Sequence, residues 1–277
     1  DADTRVDAAY LPALASFFET PRWGAVLDYA HPLAHADIVA YERYLRYHAL
    51  ALARAGSPYA YPAIGSAMAC SARAYAAAGG MNRRTAGEDF YFLQALAQAG
   101  PIEAVPGTTV RPSARGSWRV PFGTGAAINR YRAGDPRRDL LYHPQSYVVL
   151  THWLVQGREA AVQRTPPAAM REQARALHPV LPAFLAEVRL EAAWRTIAAP
   201  RAAQARRAQF HRWFDALKTL RLLHALRDAG LAAQPAEAAL RDWATHHAEE
   251  EPPGAAAEHV AWLRARASRG PWGARRA

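Results

Sequence analysis

Hydrophobic and polar positions in the first half of the chain alternate between a helical and an extended pattern. Apolar residues recur at helical spacing from Tyr10 to Phe18, and the segment from Trp23 to Tyr29 has the character of a strand. The same reasoning predicts a helix over 37–54 and a buried strand or extended loop over 64–71. Alternating strands and helices predict the α/β class.

Glycines divide the next part of the chain. Gly79-Gly80 follows one or two predicted helical turns over 72–78, and Gly87-Glu88-Asp89 opens a predicted helix over 90–99. Two short strands are then expected over 102–105 and 108–111, with Pro106-Gly107 as the turn between them. This region therefore completes the mixed pattern of the first half.

The pattern becomes helical beyond about Asp135. One long helix is predicted over 205–229, where large apolar residues repeat at helical spacing, and the segment 249–254 (EEEPPG) is expected to be a linker before one last helix. We therefore place a boundary near Gly134, with an α/β domain over 1–134 and an α-helical extension over 135–277.

Composition limits the classes of protein that the chain can belong to. Its 277 residues are 51% hydrophobic and 21% charged, which is typical of a globular protein. No apolar run approaches the roughly 20 residues of a membrane helix. The net charge of +10 comes almost entirely from arginine, with Lys218 the only lysine, as a GC-rich coding sequence would yield. We therefore expect no nucleic-acid partner, and the single Cys70 fits a reducing cytoplasm.

Two acidic groups are candidates for chemistry. Asp1-Ala2-Asp3 presents carboxylates of the type that hold a hard divalent cation, although a turn or a helix start would also favour such residues. Glu88-Asp89 precedes a predicted helix, where one carboxylate could act as a base. Acidic residues also stabilise a first helical turn, so a purely structural role stays open.

These motifs occur in an order that resembles a known family. The ordered residues are Asp1, Asp3, Tyr10, Leu11, Gly65, Ser66, Arg73, Gly79, Gly80, Gly87, Glu88 and Asp89. Together, over about residues 1–125, they resemble the later part of family-2 glycosyltransferases with the GT-A fold. The resemblance implies a partial, Rossmann-like GT-A domain that lacks its N-terminal strands. We therefore expect the chain to be a fragment of a longer protein that would bind donor weakly by itself.

The resemblance assigns the acidic groups to catalysis. In this family the Asp-x-Asp motif binds the diphosphate of a nucleotide sugar through Mg²⁺ or Mn²⁺. It implies that Asp3 is the direct metal ligand and that Asp1 contacts ribose, the metal or its water. The acidic pair before the helix provides the base that deprotonates the acceptor hydroxyl. Asp89 matches that position, and Glu88 would support it or orient the acceptor.

Further positions are implied to bind substrate. Gly65 and Ser66 resemble the segment that lines the donor-sugar and acceptor pocket, where a side chain at the glycine would fill the space for the sugar. Arg73 would hold a strand end through a salt bridge or reach a phosphate.

The loop after the last predicted strand contains a second set of substrate candidates. Arg115 and Arg119 flank Trp118, so they could clamp a diphosphate while the indole stacks on sugar or base. A surface loop ordered by arginine packing is the alternative. Processive membrane synthases carry Gln-x-x-Arg-Trp near this position, whereas this chain has Ser117-Trp118-Arg119. The difference argues against polymer synthesis coupled to export.

The function implied by the resemblance is metal-dependent, inverting transfer of a sugar. The donor would be a nucleotide-diphosphate sugar and the acceptor a hydroxyl of a glycan or lipid-linked molecule, in envelope polysaccharide or glycoconjugate synthesis. The expected location is the cytoplasm, at the inner face of the membrane if the basic helix around Arg212 makes peripheral contact. The alternative is a non-catalytic glycosyltransferase-like protein whose helical extension binds partners.

Overall fold

The computed structural model describes residues 3–84, 86–118 and 123–267. It is a mixed α/β structure, 57% helical, with a curled four-stranded mixed sheet. The chain forms two compact units: one contains the described residues within 1–50, 61–140 and 244–277, and the other contains 51–60 and 141–243. The helical region beyond 135 is thus divided, since the last helix groups with the sheet.

The first unit contains the sheet and the helices around it. Its elements in chain order are β1 (Arg5–Val6), α1 (Tyr10–Phe18), β2 (Gly24–Tyr29), α2 (Ala36–Arg54, whose last turn belongs to the second unit), β3 (Met68–Cys70), α3 (Ala72–Ala77), α4 (Glu88–Ala99), β4 (Ile102–Arg111), α5 (Thr124–Arg132) and, after the second unit, α13 (Ala256–Ala267). The sheet order is β1-β4-β2-β3. Strands β2 and β4 are parallel, and β1 and β3 run antiparallel to their neighbours.

The prediction of two separate short strands, over 102–105 and 108–111, with a turn at Pro106-Gly107 is wrong. These residues form the single strand β4, because both predicted strands pair with β2 in the same parallel direction. The partner of Leu27 is Val105, whereas the partner of Asp28 is Thr109, so Pro106, Gly107 and Thr108 form a bulge. Gly107 has a φ of 78° that favours glycine there. The turn-forming residues therefore interrupt the strand without reversing it.

One face of the sheet carries the core of the first unit. Leu27 and Tyr29 of β2, Val105 and Val110 of β4, and Phe17 of α1 are all buried in one hydrophobic cluster. Residues on this face alternate along β2, as the period of two in a strand requires. Val26, on the opposite face of β2, is buried as well, so this strand is largely covered on both faces.

The second unit is helical. It contains the end of β5 (Leu140–Leu141), which pairs with β6 (Gln234–Pro235), and the helices α6 (Pro144–Gln163), α7 (Pro167–Leu177), α8 (Leu181–Glu187), α9 (Leu190–Ala198), α10 (Ala203–Trp213), α11 (Ala216–Asp228) and most of α12 (Ala236–His246). Trp153, Phe210 and Phe214 form its aromatic centre, with ring centroids 5.8 to 6.1 Å apart. Gly157 lets α6 approach Phe210, since a Cβ at this glycine would lie 2.2 Å from the ring.

The single helix predicted over 205–229 is also wrong. It is divided into α10 and α11 at Phe214 and Asp215. The Asp215 carboxylate caps α11 by accepting a hydrogen bond from the Lys218 N–H at 2.8 Å. The last helix, α13, follows the EEEPPG segment as predicted. Among the described residues, none of the helices combines the length and the apolar character needed to cross a membrane.

Candidate functional site

The candidate residues are brought together by the direction of the strands. Strands β2 and β4 both end at one edge of the sheet because they are parallel. Strand β1 pairs with the end of β4, so Asp3, which precedes β1, lies beyond that end. Strand β3 runs antiparallel to β2, so Gly65, just before β3, lies at the same edge. With about 4.8 Å between strands, the outer two of the four are roughly 14 Å apart.

Asp89 lies in the first turn of α4 and is partly buried. Its Oδ1 accepts a hydrogen bond from the N–H of Phe90 at 2.7 Å. Burial raises the pKa of Asp89, and the neighbouring charge of Glu88 raises it further, although backbone hydrogen bonds partly offset both effects. The helix N-cap is Gly87, at a φ of 72° and without a side-chain hydrogen bond, so neither carboxylate is the cap. A raised pKa is the property expected of a catalytic base.

Gly65 lies directly against Asp89. A Cβ built on this glycine would be 3.5 Å from the Asp89 Cβ and 3.6 Å from its Oδ2. The backbone of Gly65 also hydrogen-bonds the carboxylate and lowers its pKa. These distances are ordinary contacts, so alanine would fit, but a longer side chain would cover the carboxylate. The glycine therefore keeps one side of Asp89 open, and Ser66 follows it, half-buried, in the same loop.

Asp3 forms an ion pair at the end of β4. The Arg115 Nε donates to Asp3 Oδ2 at 2.5 Å, and the Asp3 side chain is 37% exposed. A second pair, Arg111 with Asp7 at 3.1 Å, ties β4 to the residue after β1. Two other predicted site residues of this region, Asp1 and Arg119, lie outside the described residues.

Two candidate residues are placed apart from this group. Arg73 is exposed on α3, beyond the end of β3 that pairs with Gly24 at the start of β2, so the topology puts it at the opposite edge of the sheet. Trp118 is 86% exposed in the loop after β4. The neighbouring Ser117 is held by its carbonyl, which accepts from the Asn129 side chain at 2.9 Å. Within the described part of the chain, no hydrogen bond or ion pair is seen between Asp89 and the side chain of Arg73 or Trp118.

Tyr41 is a neighbour of Asp89 that the sequence did not single out as a site residue. The pKa of Tyr41 is raised to about 12, chiefly by burial. A hydrogen bond with Thr124 lowers this pKa, and the charge of Asp89 contributes to the rise. Tyr41 lies within the helix predicted over 37–54, and helical spacing alone does not distinguish a site residue from a packing residue. Thr124 is the first residue of α5, so its hydrogen bond with Tyr41 joins α2 to the start of α5.

A buried ionic network lies where β2 ends. Glu42 of α2 is fully buried and accepts hydrogen bonds from the His31 N–H at 2.8 Å, the His31 Nδ1 at 2.9 Å and the Arg46 Nε at 2.8 Å. Arg264 of α13 adds a fourth at 3.2 Å. Burial alone would raise the pKa of Glu42, but the hydrogen bonds from His31 and the charge of Arg46 lower it overall. The network anchors the carboxyl end of β2 to two helices.

The described residues contain no group of three or more histidine, cysteine or acidic side chains placed to hold a metal ion. A cavity of about 740 Å³ lies against α2 and α13, and none of Asp3, Gly65, Glu88 and Asp89 lines it. The candidate site is therefore defined by the sheet edge and by the contact between Gly65 and Asp89.

No protein-family model, curated protein or solved structure matches the chain. The class that the structure itself defines is a mixed α/β fold joined to a helical unit.

Proposed function

We propose that the chain is the later part of an inverting glycosyltransferase with the GT-A fold. The observation that carries the proposal is the contact of Gly65 with the partly buried Asp89 at the sheet edge where Asp3 also lies. Parallel strands in α/β sheets typically bind ligands beyond their carboxyl ends. The order of motifs in the sequence and the placement of these three residues at one edge therefore support the same function.

Asp89 is the proposed catalytic base. Its carboxylate would accept the proton of an acceptor hydroxyl as that oxygen attacks the anomeric carbon, and attack opposite the departing diphosphate inverts the configuration. Burial raises its pKa, which strengthens the carboxylate as a base. The open side beside Gly65 gives the hydroxyl a path to the carboxylate. Glu88, one residue earlier, would orient the acceptor.

Asp3 is the proposed ligand of Mg²⁺ or Mn²⁺. Its carboxylate has the oxygen chemistry that these cations prefer, and the cationic Arg115 already binds one of its oxygens. Mg²⁺ sites commonly use one or two carboxylates together with substrate phosphates and water, so a single described ligand fits such a site. When bound, the cation would stabilise charge on the leaving diphosphate. Arg115 would then be free to pair with a phosphate oxygen.

The proposed substrates follow from these roles. The donor is a nucleotide-diphosphate sugar, and the acceptor is a hydroxyl of a glycan or a lipid-linked molecule. Such donors are used in the cytoplasm, so we place the reaction there, with the membrane face as the site of lipid-linked acceptors. Arg73, at the far edge of the sheet, has no part in this proposal.

A donor screen with two matched variants tests the proposal. The natural full-length protein is incubated with nucleotide-diphosphate sugars, Mn²⁺ and simple sugar acceptors, and release of the nucleoside diphosphate is measured. Asp89→Asn should lower kcat by roughly 10²–10⁴-fold, because the base is removed. Glu103→Gln is the control, since it neutralises a half-exposed carboxylate at the start of β4, outside the proposed site, and should keep the wild-type kcat. Equal activity of Asp89→Asn and the wild type would eliminate the assignment.

A further inference from the structure

The cavity of about 740 Å³ in the first unit has a wall built from two strands and two helices. Its floor is formed by β2 and β4, including Val26 and Val105, one side by Ala49 and Leu50 of α2, and the other by Ala261 of α13. Ligand sites of drug-sized molecules usually span ~300–1,000 Å³ and are mainly apolar. The volume and the lining therefore have the character of a small-molecule site.

The charged groups in this wall are already compensated. Arg46 pairs with Glu42 at 2.8 Å and with Asp28 at 3.4 Å. Arg264 pairs with Glu42 at 3.2 Å and lies 3.9 Å from Asp28. Asp7, the remaining charged residue of the lining, pairs with Arg111 at 3.1 Å. Each charged group of the lining therefore has a partner of opposite sign. An anionic ligand would have to break one of these pairs, so the wall favours an uncharged ligand.

Two residues of this lining carry a buried hydroxyl that lacks a partner. The Tyr29 hydroxyl and the Thr108 Oγ1 are buried, and in the described part of the chain neither has a hydrogen bond. A buried polar group without a partner costs ~1–3 kcal/mol. A ligand that brings an oxygen to this wall would relieve that cost once the side chain turns towards it. Tyr29 is 2% exposed and Thr108 is 6% exposed, so bulk water does not hydrogen-bond with their hydroxyl groups.

We infer that this cavity binds an uncharged, mainly apolar small molecule that carries a hydroxyl or carbonyl group. The apolar floor would hold its body, and the buried hydroxyls of Tyr29 and Thr108 would hydrogen-bond its oxygen. The site would be additional to the proposed transferase site, because Asp3, Gly65 and Asp89 do not line it. This inference rests on the cavity and the residues that line it, and it is independent of the proposed function.

A fluorescence titration of the whole chain tests the inference. The probe is prodan, an uncharged naphthalene with one ketone, whose emission shifts to the blue in an apolar site. Saturable binding with one site is expected. Ala261→Trp should weaken it at least about tenfold, or ~1.4 kcal/mol, by filling the cavity from an exposed position. Ala257→Trp, on an exposed part of the same helix outside the lining, is the control and should bind as the wild type does.

Further variants test the polar contacts. Tyr29→Phe and Thr108→Val should each weaken prodan binding by roughly 3–10-fold without loss of stability, because each removes a buried hydroxyl that has no bond to lose. Ser146→Ala removes another buried, unpartnered hydroxyl, in the second unit, and should leave binding unchanged. In competition, 1-decanol should displace prodan at a lower concentration than decanoate does.

Several outcomes would overturn the inference. Absence of saturable prodan binding would exclude the site, and full binding by Ala261→Trp would place the probe elsewhere. Equal displacement by decanoate would contradict the preference for an uncharged ligand. Wild-type binding by both Tyr29→Phe and Thr108→Val would contradict the assignment of the hydroxyl or carbonyl group.

Discussion

Replacing Glu42 by glutamine removes the charge at the centre of the buried network. In the wild type, Glu42 accepts four hydrogen bonds from His31, Arg46 and Arg264 at 2.8 to 3.2 Å. The amide of glutamine offers one acceptor oxygen and turns a donor towards these donors. Breaking one partner out of a buried ion pair typically costs ~3–5 kcal/mol. Asp28 still compensates both arginines, so we expect about 3 kcal/mol, at the lower end of that range.

Urea denaturation reports this loss. With m-values of ~1–3 kcal/mol/M, a cost of 3 kcal/mol lowers the midpoint by roughly 1–3 M. The stability of the first unit is measured separately from that of the second by hydrogen exchange of peptides that cover β2. Glu103→Gln is the matched control, because Glu103 pairs with Arg22 in a half-exposed position, where such pairs contribute ~0–1 kcal/mol. A Glu42→Gln variant within about 0.5 kcal/mol of the wild type would refute the reasoning.

The pH dependence gives a second arm of the same prediction. The pKa of Glu42 is lowered in the folded state, so its stabilisation is complete above the unfolded pKa, which is about 4.3 for glutamate. That stabilisation is lost as the pH falls through the folded pKa, because the carboxylate must then be protonated. The difference in stability between the wild type and Glu42→Gln should therefore shrink below about pH 4. A difference that stays constant into acid would contradict the lowered pKa.

Three further predictions concern other parts of the chain. Gly157→Ala should lower the thermal midpoint of the helical unit in calorimetry. Overpacking against Phe210 costs ~1–3 kcal/mol, which exceeds the gain of about 1 kcal/mol in helix propensity. Gly254→Ala, where the added methyl group meets open space, should leave the midpoint nearly unchanged. Arg206→Leu should destabilise the same unit by several kcal/mol, because the Arg206 guanidinium donates four hydrogen bonds of 2.6 to 2.9 Å to backbone carbonyls. A decrease of less than about 1 kcal/mol in the free energy of unfolding, measured in urea, would contradict this prediction. The acid limb of kcat/KM should lie above the usual aspartate pKa of about 3.9, because burial raises the pKa of Asp89; a limb below that value would exclude Asp89 as the titrating base.

Elements with strong local signals were predicted from the sequence. The helix over 37–54 is observed as Ala36–Arg54, and the strand over 23–29 as Gly24–Tyr29, because amphipathic spacing and β-branched or aromatic residues determine both locally. The two errors arise where another interaction competes with the local pattern. Pro106-Gly107 would suit a hairpin, but both flanking segments pair with β2. Asp215 lies inside a run of helical spacing, but its carboxylate caps a new helix.

The candidate site was predicted only as far as motif order reaches. The resemblance indicated Gly65 and Asp89 as neighbours in function, and the structure places them in contact. Arg73 fits the motif order, but the antiparallel run of β3 carries it to the other edge of the sheet. The Glu42 network could not be foreseen, because Arg264 is 222 residues away in sequence. Local patterns do not encode such long-range contacts, which depend on the packing of α13.

In the proposed transferase site, Asp3 and Asp89 face one cleft that holds a cation and a sugar nucleotide. The most direct measurement is a crystal structure of the natural full-length protein soaked with Mn²⁺ and a nucleoside diphosphate, with anomalous scattering used to locate the metal. We predict a manganese peak coordinated by the Asp3 carboxylate and by the diphosphate, with the Asp89 carboxylate facing the terminal phosphate across the open side of Gly65. A peak elsewhere, or an Asp89 carboxylate directed away from the diphosphate, would contradict the proposed transferase site.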